Sequence, residues 1–375
     1  MYASARRVGR AGESALLDLP ESARLTTTYT MSIQHKSPAV GNSAGSASKR
    51  LVLCYPVEAR HVAQIAAAAP GYDVIDAGQE HVAKELLDAD IFCGHPKVPV
   101  SWDEVGQRQR LHWIQSSAAG LDHLLVPSVI ESDIIVTSAS GVLANQVADH
   151  TIALTTALLR SFPTFFRAQA KREFIRRPTR DLHGSRIGII GLGRNGRRLA
   201  EVFSAFNCTI LATDWWTGPK PEQVDEMLPA DAVDDILPRI DILVLAAPLT
   251  PHTRHMIDAR RLALLPKDAL VINVARGPLV VTEDLVDALE SGHISGAGVD
   301  VTEPEPLPVE SRLWEQPNVI ITPHVGGQSA TRADDMTNFF CENLRRYFAS
   351  EPLINLVDKK LGFPFVDLTP LPLSR

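Results

Sequence analysis

Cysteine is scarce. Cys54, Cys93, Cys208 and Cys341 are scattered through 375 residues, with no C-x-x-C pair and no zinc spacing. This excludes a disulfide-stapled scaffold and a zinc module. No metal is expected, and free thiols suit a reducing, cytoplasmic compartment. An excess of positive charge is also missing. Lys and Arg number 37 against 44 Asp and Glu, a net charge of −7. Nucleic-acid phosphates call for a basic surface, so nucleic acid is not the expected partner. No apolar run reaches the roughly 18 residues of a membrane span, so no membrane partner is expected either. What is present is a globular composition, 45% hydrophobic and 22% charged, long enough for two domains.

The first 49 residues are rich in Ser, Ala, Thr and Gly, as in Gly41-Asn-Ser-Ala-Gly-Ser-Ala-Ser. Such a stretch buries too little apolar surface to order itself, and a disordered leader is expected over 1–49. From Leu51 onward, short apolar runs alternate with helical patterns: 51–55, 72–76, 90–94, 111–116 and 134–138. That alternation predicts a parallel sheet. A long apolar helix over 145–159 follows. Strong strands then recur at 187–190, 209–213, 241–247, 269–275, 298–301 and 319–322. Six strands with helices between them suit a doubly wound dinucleotide domain. The last helix, 329–348, has no strand after it and is expected to return to the first domain. The expected fold is therefore α/β with two doubly wound parallel-sheet domains. A Rossmann domain at 149–326 is inserted into a flavodoxin-like substrate, or lid, domain at 50–148 and 327–375.

The segment Ile187-Gly-Ile-Ile-Gly191-Leu-Gly193-Arg194-Asn195-Gly196 carries the most specific signal. An apolar strand runs into a G-x-G-x-x-G turn that opens a helix. Gly191 allows the tight turn, Gly193 lets the backbone approach a pyrophosphate, and Gly196 lets the helix pack against the strand. The helix start offers unpaired N–H groups to the phosphates. Asp214 follows Gly196 by 18 residues, at the end of the next apolar run, where a carboxylate accepts bonds from a ribose diol. An acid there disfavours a 2′-phosphate, so the expected cofactor is NAD.

Ligands of doubly wound sheets lie beyond the carboxyl ends of the strands. Arg276, Glu305 and His324 all stand just past such ends. A planar guanidinium grips a carboxylate, an imidazole passes a proton, and a carboxylate beside the imidazole orients it.

The segments Asn273-Val-Ala-Arg-Gly-Pro-Leu-Val, Asp300-Val-Thr-Glu-Pro-Glu-Pro-Leu and Thr322-Pro-His-Val-Gly-Gly resemble the signatures of the D-isomer-specific 2-hydroxyacid dehydrogenases, which include glyoxylate/hydroxypyruvate reductases. The likeness runs from about 51 to 358. It implies an NAD-dependent oxidoreductase that interconverts 2-oxo and D-2-hydroxy acids by hydride transfer, acting as a homodimer. The family's substrate arginine falls on Arg276, its acid/base histidine on His324 and its supporting acid on Glu305, with Glu303 the competitor. Gln115-Ser-Ser-Ala-Ala-Gly-Leu-Asp-His resembles the carboxylate-binding loop, with Ala119 and Gly120 offering backbone N–H groups. Ala247, Pro248, Thr253, Ala275, Asp300 and Gly326 fall where the family lines its cofactor site. Thr302 and the pair Trp215-Trp216 depart from the usual pattern. The same scaffold also serves phosphite and formate dehydrogenases, and cofactor-gated corepressors that act as interaction proteins. These are the alternative readings. The dimer surface is expected along the long helix from Asn145. His95 and Lys97 read as loop residues with a cleft-facing alternative, and His150 reads as a packed helix residue.

Overall fold

The computed structural model describes residues 48–216, 218–365 and 368–374. The expected leader lies almost wholly outside the described residues. The first layer of structure runs β1 Lys49–Cys54, α1 Ala59–Ala68, β2 Tyr72–Asp76, α2 Gly78–Glu85, β3 Ile91–Gly94, α3 Trp102–Arg108, β4 Trp113–Ser116, α4 Pro127–Ile130 and β5 Ile135–Thr137. Its five strands pair in the order β2-β1-β3-β4-β5, every pair parallel. This is the flavodoxin-like order.

Next come α5 Ala144–Leu159, α6 Phe162–Ala170, β6 Arg186–Ile190, α7 Arg194–Ser204, β7 Thr209–Asp214, β8 Glu226–Pro229, α8 Val233–Ile236, β9 Ile242–Leu245, α9 Ala259–Leu264, β10 Ala269–Asn273, α10 Thr282–Glu290, β11 Ile294–Val299 and β12 Val319–Ile321. The second sheet has seven parallel strands in the order β12-β11-β10-β9-β6-β7-β8. Strand order reverses between β6 and β9. The turn after β6 therefore opens at the switch point, where a doubly wound sheet binds its ligand. Two corrections to the sequence reading follow. There are seven strands rather than six, because β8 is an edge strand whose residues, Glu-Met-Leu-Pro, form no apolar run. And β11 begins at Ile294, four residues before the expected start.

The strands read as unbroken apolar runs because both sheet faces are covered. In β9, Ile242 and Val244 join the core beneath α5 and α7, while Leu243 and Leu245 join the core on the opposite face. The last helix, α11 Arg332–Phe348, leaves this sheet and packs on the first one. Its Phe339 and Phe340 are fully buried, and Phe340 lies 5.5 Å from Trp113. Burying each such ring contributes about 1.5–3 kcal/mol relative to leaving it exposed. Thr337 Oγ1 meets the Tyr55 hydroxyl at 2.9 Å, so the buried polar tips are matched. A short antiparallel pair, β13 Val357–Asp358 with β14 Phe363–Pro364, follows. Among the described residues no helix is long and apolar enough to cross a membrane.

Candidate active site

The glycine turn has the geometry its sequence implies. Gly191 has φ +99°, and a Cβ on Gly196 would lie 1.9 Å from the Gly191 carbonyl oxygen, so helix α7 closes hard against the turn. At Gly193 a Cβ would meet nothing within 4 Å. The main chain is therefore open to a phosphate there, and the residues fit a dinucleotide. Asp214 ends β7; its carboxylate accepts from the Leu192 amide and, at 2.6 Å, from the Trp216 amide. It thereby ties the glycine turn to the end of the neighbouring strand. Arg194 is placed differently from the simplest reading. Its Nε donates to Asn355 Oδ1 at 3.0 Å and its Nη2 to the Thr369 carbonyl at 2.9 Å. Its guanidinium thus holds the C-terminal segment, which leaves the main chain of this first helical residue to serve a phosphate. Asn195 follows it in the first turn, half-exposed. A cavity of about 40 Å³ remains between Gly193, Arg197, Pro364, Phe365 and Leu368.

Ala247 lies behind the turn, its Cα 2.8 Å from the place a Gly191 Cβ would take. The Thr253 hydroxyl donates to the Pro248 carbonyl at 2.7 Å, fixing the 248–253 loop from within. Asn273 shapes the next strand end: its amide donates to the Arg276 carbonyl at 3.0 Å and its oxygen accepts from the Ala275 amide at 3.1 Å.

That turn delivers Arg276 to the loop after β4. The guanidinium donates from Nε to Asp122 Oδ1 at 3.1 Å and from Nη1 to the Ala275 carbonyl at 2.7 Å. Its Nη2 lies 1.7 Å from where a Gly120 Cβ would sit, so only glycine admits this approach. Among the described residues neither the Ala119 nor the Gly120 amide donates to an acceptor. Free N–H groups in a loop that a guanidinium approaches are the kind of donors an anion calls for.

His324 and Glu305 also meet. His324 Nδ1 lies 2.8 Å from Glu305 Oε1, with both side chains partly exposed. Glu303 is committed elsewhere, to Arg254 at 2.7 Å and His255 at 2.5 Å. With the carboxylate at Nδ1, Nε2 is the ring nitrogen left for a substrate. The backbone under this histidine is held by Asp300, which is 3% exposed. Its carboxylate accepts from Thr322 Oγ1 at 2.6 Å, the Val325 amide at 2.9 Å and the Gly326 amide at 2.8 Å. His150 Nε2 adds a bond to Thr322 Oγ1 at 2.9 Å and lies 3.3 Å from Asp300. Burial alone raises the Asp300 carboxyl. The bonds from His150, Thr322, Val325 and Gly326 outweigh it and hold the group below its usual range. Asp300 therefore acts here as the anchor of the 322–326 loop.

Three residues of this neighbourhood were not singled out as functional by the sequence: Asp122, His123 and His150. Asp122 and His123 follow the small-residue loop directly, and that adjacency was the available signal. His95 stacks on His123 with centroids 3.7 Å apart and planes 23° from parallel. The cleft-facing alternative for His95 is the one the geometry supports.

Residues 152–326 match the family described as D-isomer specific 2-hydroxyacid dehydrogenase, NAD binding domain. A glyoxylate reductase of Pyrococcus horikoshii is 33% identical over 288 residues, 74% of this chain and 81% of that protein. A hydroxyphenylpyruvate reductase of Plectranthus scutellarioides is 34% identical over 284 residues, 75% of this chain and 89% of that protein. Among solved structures, a D-isomer specific 2-hydroxyacid dehydrogenase of Xanthobacter autotrophicus in complex with NADPH and MES is 33% identical. It has a TM-score of 0.72 and covers 84% of this chain and all of that one. An NADPH-dependent glyoxylate/hydroxypyruvate reductase of Sinorhizobium meliloti, in complex with NADP and sulfate, is 28% identical at the same TM-score and coverage.

Proposed function

The chain belongs to the D-isomer specific 2-hydroxyacid dehydrogenase family, and from that premise we propose that it reduces a small 2-oxo acid to the D-2-hydroxy acid with NADH. The observation that carries this reading is the pairing of two sites. Arg276 lies against Gly120, in a loop whose Ala119 and Gly120 amides are free among the described residues, and His324 is bonded to Glu305.

The dinucleotide supplies the hydride when bound. Gly193, Arg194 and Asn195 would hold its phosphates through the main chain, with Gly191 and Gly196 shaping the turn, and Asp214 would accept from its ribose. The substrate carboxylate takes the Ala119 and Gly120 amides and the Arg276 guanidinium. The same arginine polarises the carbonyl oxygen, so developing negative charge meets a fixed positive one. His324 then gives its Nε2 proton to the forming alkoxide. Glu305 keeps the ring oriented through the bond at Nδ1. In the oxidative direction the proton returns along the same path.

Asp214 supports NAD(H) over NADP(H), since a carboxylate repels a 2′-phosphate placed beside it. The two solved relatives above were crystallised with NADPH or NADP, so this preference is a specific claim about this chain. The kcat/KM with NADH should exceed that with NADPH, and Asp214→Ala should narrow the gap. Equal or better use of NADPH by the wild type overturns the preference. The reading of the reaction itself is tested with a panel of 2-oxo acids, NADH oxidation being followed at each.

A homodimer also belongs to this reading, with the neighbourhood of the long helix α5 as its surface. Helix α5 buries Ala148, Thr151, Leu154, Thr155 and Leu159 against its own domain. After this helix come exposed aromatics: Phe162 is 44% exposed, Phe166 61% and Phe174 95%. Phe162 and Phe166 meet edge to face with centroids 5.6 Å apart, and exposed aromatics of this kind suit an association surface.

A further inference from the structure

The backbone at His324 is strained. Its φ is +55°, in the left-handed region, which a residue other than glycine keeps only when its surroundings fix it. Two carbonyls do so here. The His324 amide donates to the Asp300 carbonyl at 2.7 Å and to the Thr322 carbonyl at 3.1 Å. The Asp300 carboxylate takes the Val325 and Gly326 amides, so the chain just past His324 is tied to the same residue.

His150 reaches this frame from another element. It stands one turn before Leu154, on the face that α5 lays against β11. Its Cδ2 is 3.4 Å from the place a Gly326 Cβ would take. Its Nε2 is 2.9 Å from Thr322 Oγ1 and 3.3 Å from the Asp300 carboxylate. The direction of these bonds follows from the donors present. The Asp300 carboxyl is held below its usual range, so near pH 7 it is ionised and only accepts. The Thr322 hydroxyl has one proton and gives it to Asp300 Oδ1 at 2.6 Å. Its oxygen is left to accept from His150, which therefore carries a proton on Nε2.

We propose that His150 is a positioning residue for the proton-transfer step. Its Nε2–H fixes the Thr322 hydroxyl, the hydroxyl fixes Asp300, and Asp300 holds the His324 backbone in its left-handed turn with the ring against Glu305. This rests on the 2-oxo acid reading above. Because His150 acts through Thr322 and Asp300, its loss misplaces the His324 ring and leaves Arg276, which is held by other loops, where it is. A misplacement of about 1 Å is enough to cost on the order of 10²-fold in rate.

The test is single-turnover reduction, with NADH, of the best acid of the panel. His150→Leu should lower the rate by about tenfold or more, with the KM of the acid and the Kd of NADH within about twofold of wild type. His150→Gln keeps an N–H donor at similar reach and should restore the rate to within about threefold of wild type. Thr322→Val breaks the same chain one link later. Combined with His150→Leu, it should be no slower than Thr322→Val alone, because both remove one bond. Without any ligand, nitrogen NMR of isotope-labelled histidine should show a protonated Nε2 signal that disappears in His150→Gln. A His150→Leu rate within about twofold of wild type overturns the inference. So do additive losses in the double variant, an equal loss with Gln and Leu, or a His150 ring protonated at Nδ1 alone. Each of these leaves the 2-oxo acid reading standing. If the wild type reduces no acid of the panel, that reading falls and this inference with it.

Discussion

His123 shows how the site's charge balance is set by single residues. Burial, then the nearby His95, lowers its value from 6.5 to about 3. The unfolded chain takes up a proton on this ring as pH falls through about 6.5, whereas the folded chain does so only near 3. Stability is therefore whole above about 6.5 and declines as pH falls through that window. The ring contributes at most about 1.4 kcal/mol of decline per pH unit. Urea midpoints of the wild type and His123→Gln, taken at pH 7.5 and 5, should show a shallower loss in the variant. Parallel losses contradict the assignment. Arg276, Glu305 and His324 could be picked as candidates from the sequence because each stands past an apolar run that ends at the ligand edge of a sheet. Asp122 and His150 could not. Each acts through a partner 154 or more residues away, and spacing along the chain carries no trace of that.

Elements carry the site by bringing two loops together. The loop after β4 and the turn after β10 meet where Gly120 admits the Arg276 guanidinium. Gly120→Ala places a methyl group 1.7 Å from the present Nη2 position, so the guanidinium must swing aside. The expected result is a fall of about tenfold or more in kcat/KM, with little change in the thermal midpoint, because the site lies at the loop surface. Activity within twofold of wild type contradicts the contact. The same logic explains what the sequence hid. Strand β11 contains Gly296 and Gly298, residues that weaken a strand pattern. Helix α5 lies on them: a Cβ at Gly296 would come within 3.3 Å of Leu158, and one at Gly298 within 3.0 Å of Leu154. The strand is small so that the helix can approach, and only the packed structure shows it. Strand β8 escaped for another reason, as a four-residue edge strand in which no residue is fully buried.

At the scale of the whole molecule, two parallel sheets follow from alternating apolar runs, and that much was legible in the sequence. The return of α11 to the first sheet was legible from the want of a strand after it, but its Trp113–Phe340 contact was not. The proposed dimer belongs to this scale too. Light scattering at micromolar concentration should give twice the chain mass, and Phe166→Glu with Phe174→Glu should shift it toward one. A wild-type mass of one chain contradicts the proposal. The central claim, that His324 supplies the proton for reduction of a 2-oxo acid, is tested most directly by single-turnover reduction with NADH. A substrate taken from the panel should be followed in the wild type and in His324→Asn. The expected result is a rate lowered by about 10²–10⁴, with binding of NADH and substrate nearly unchanged. A His324→Asn rate close to wild type would contradict the account.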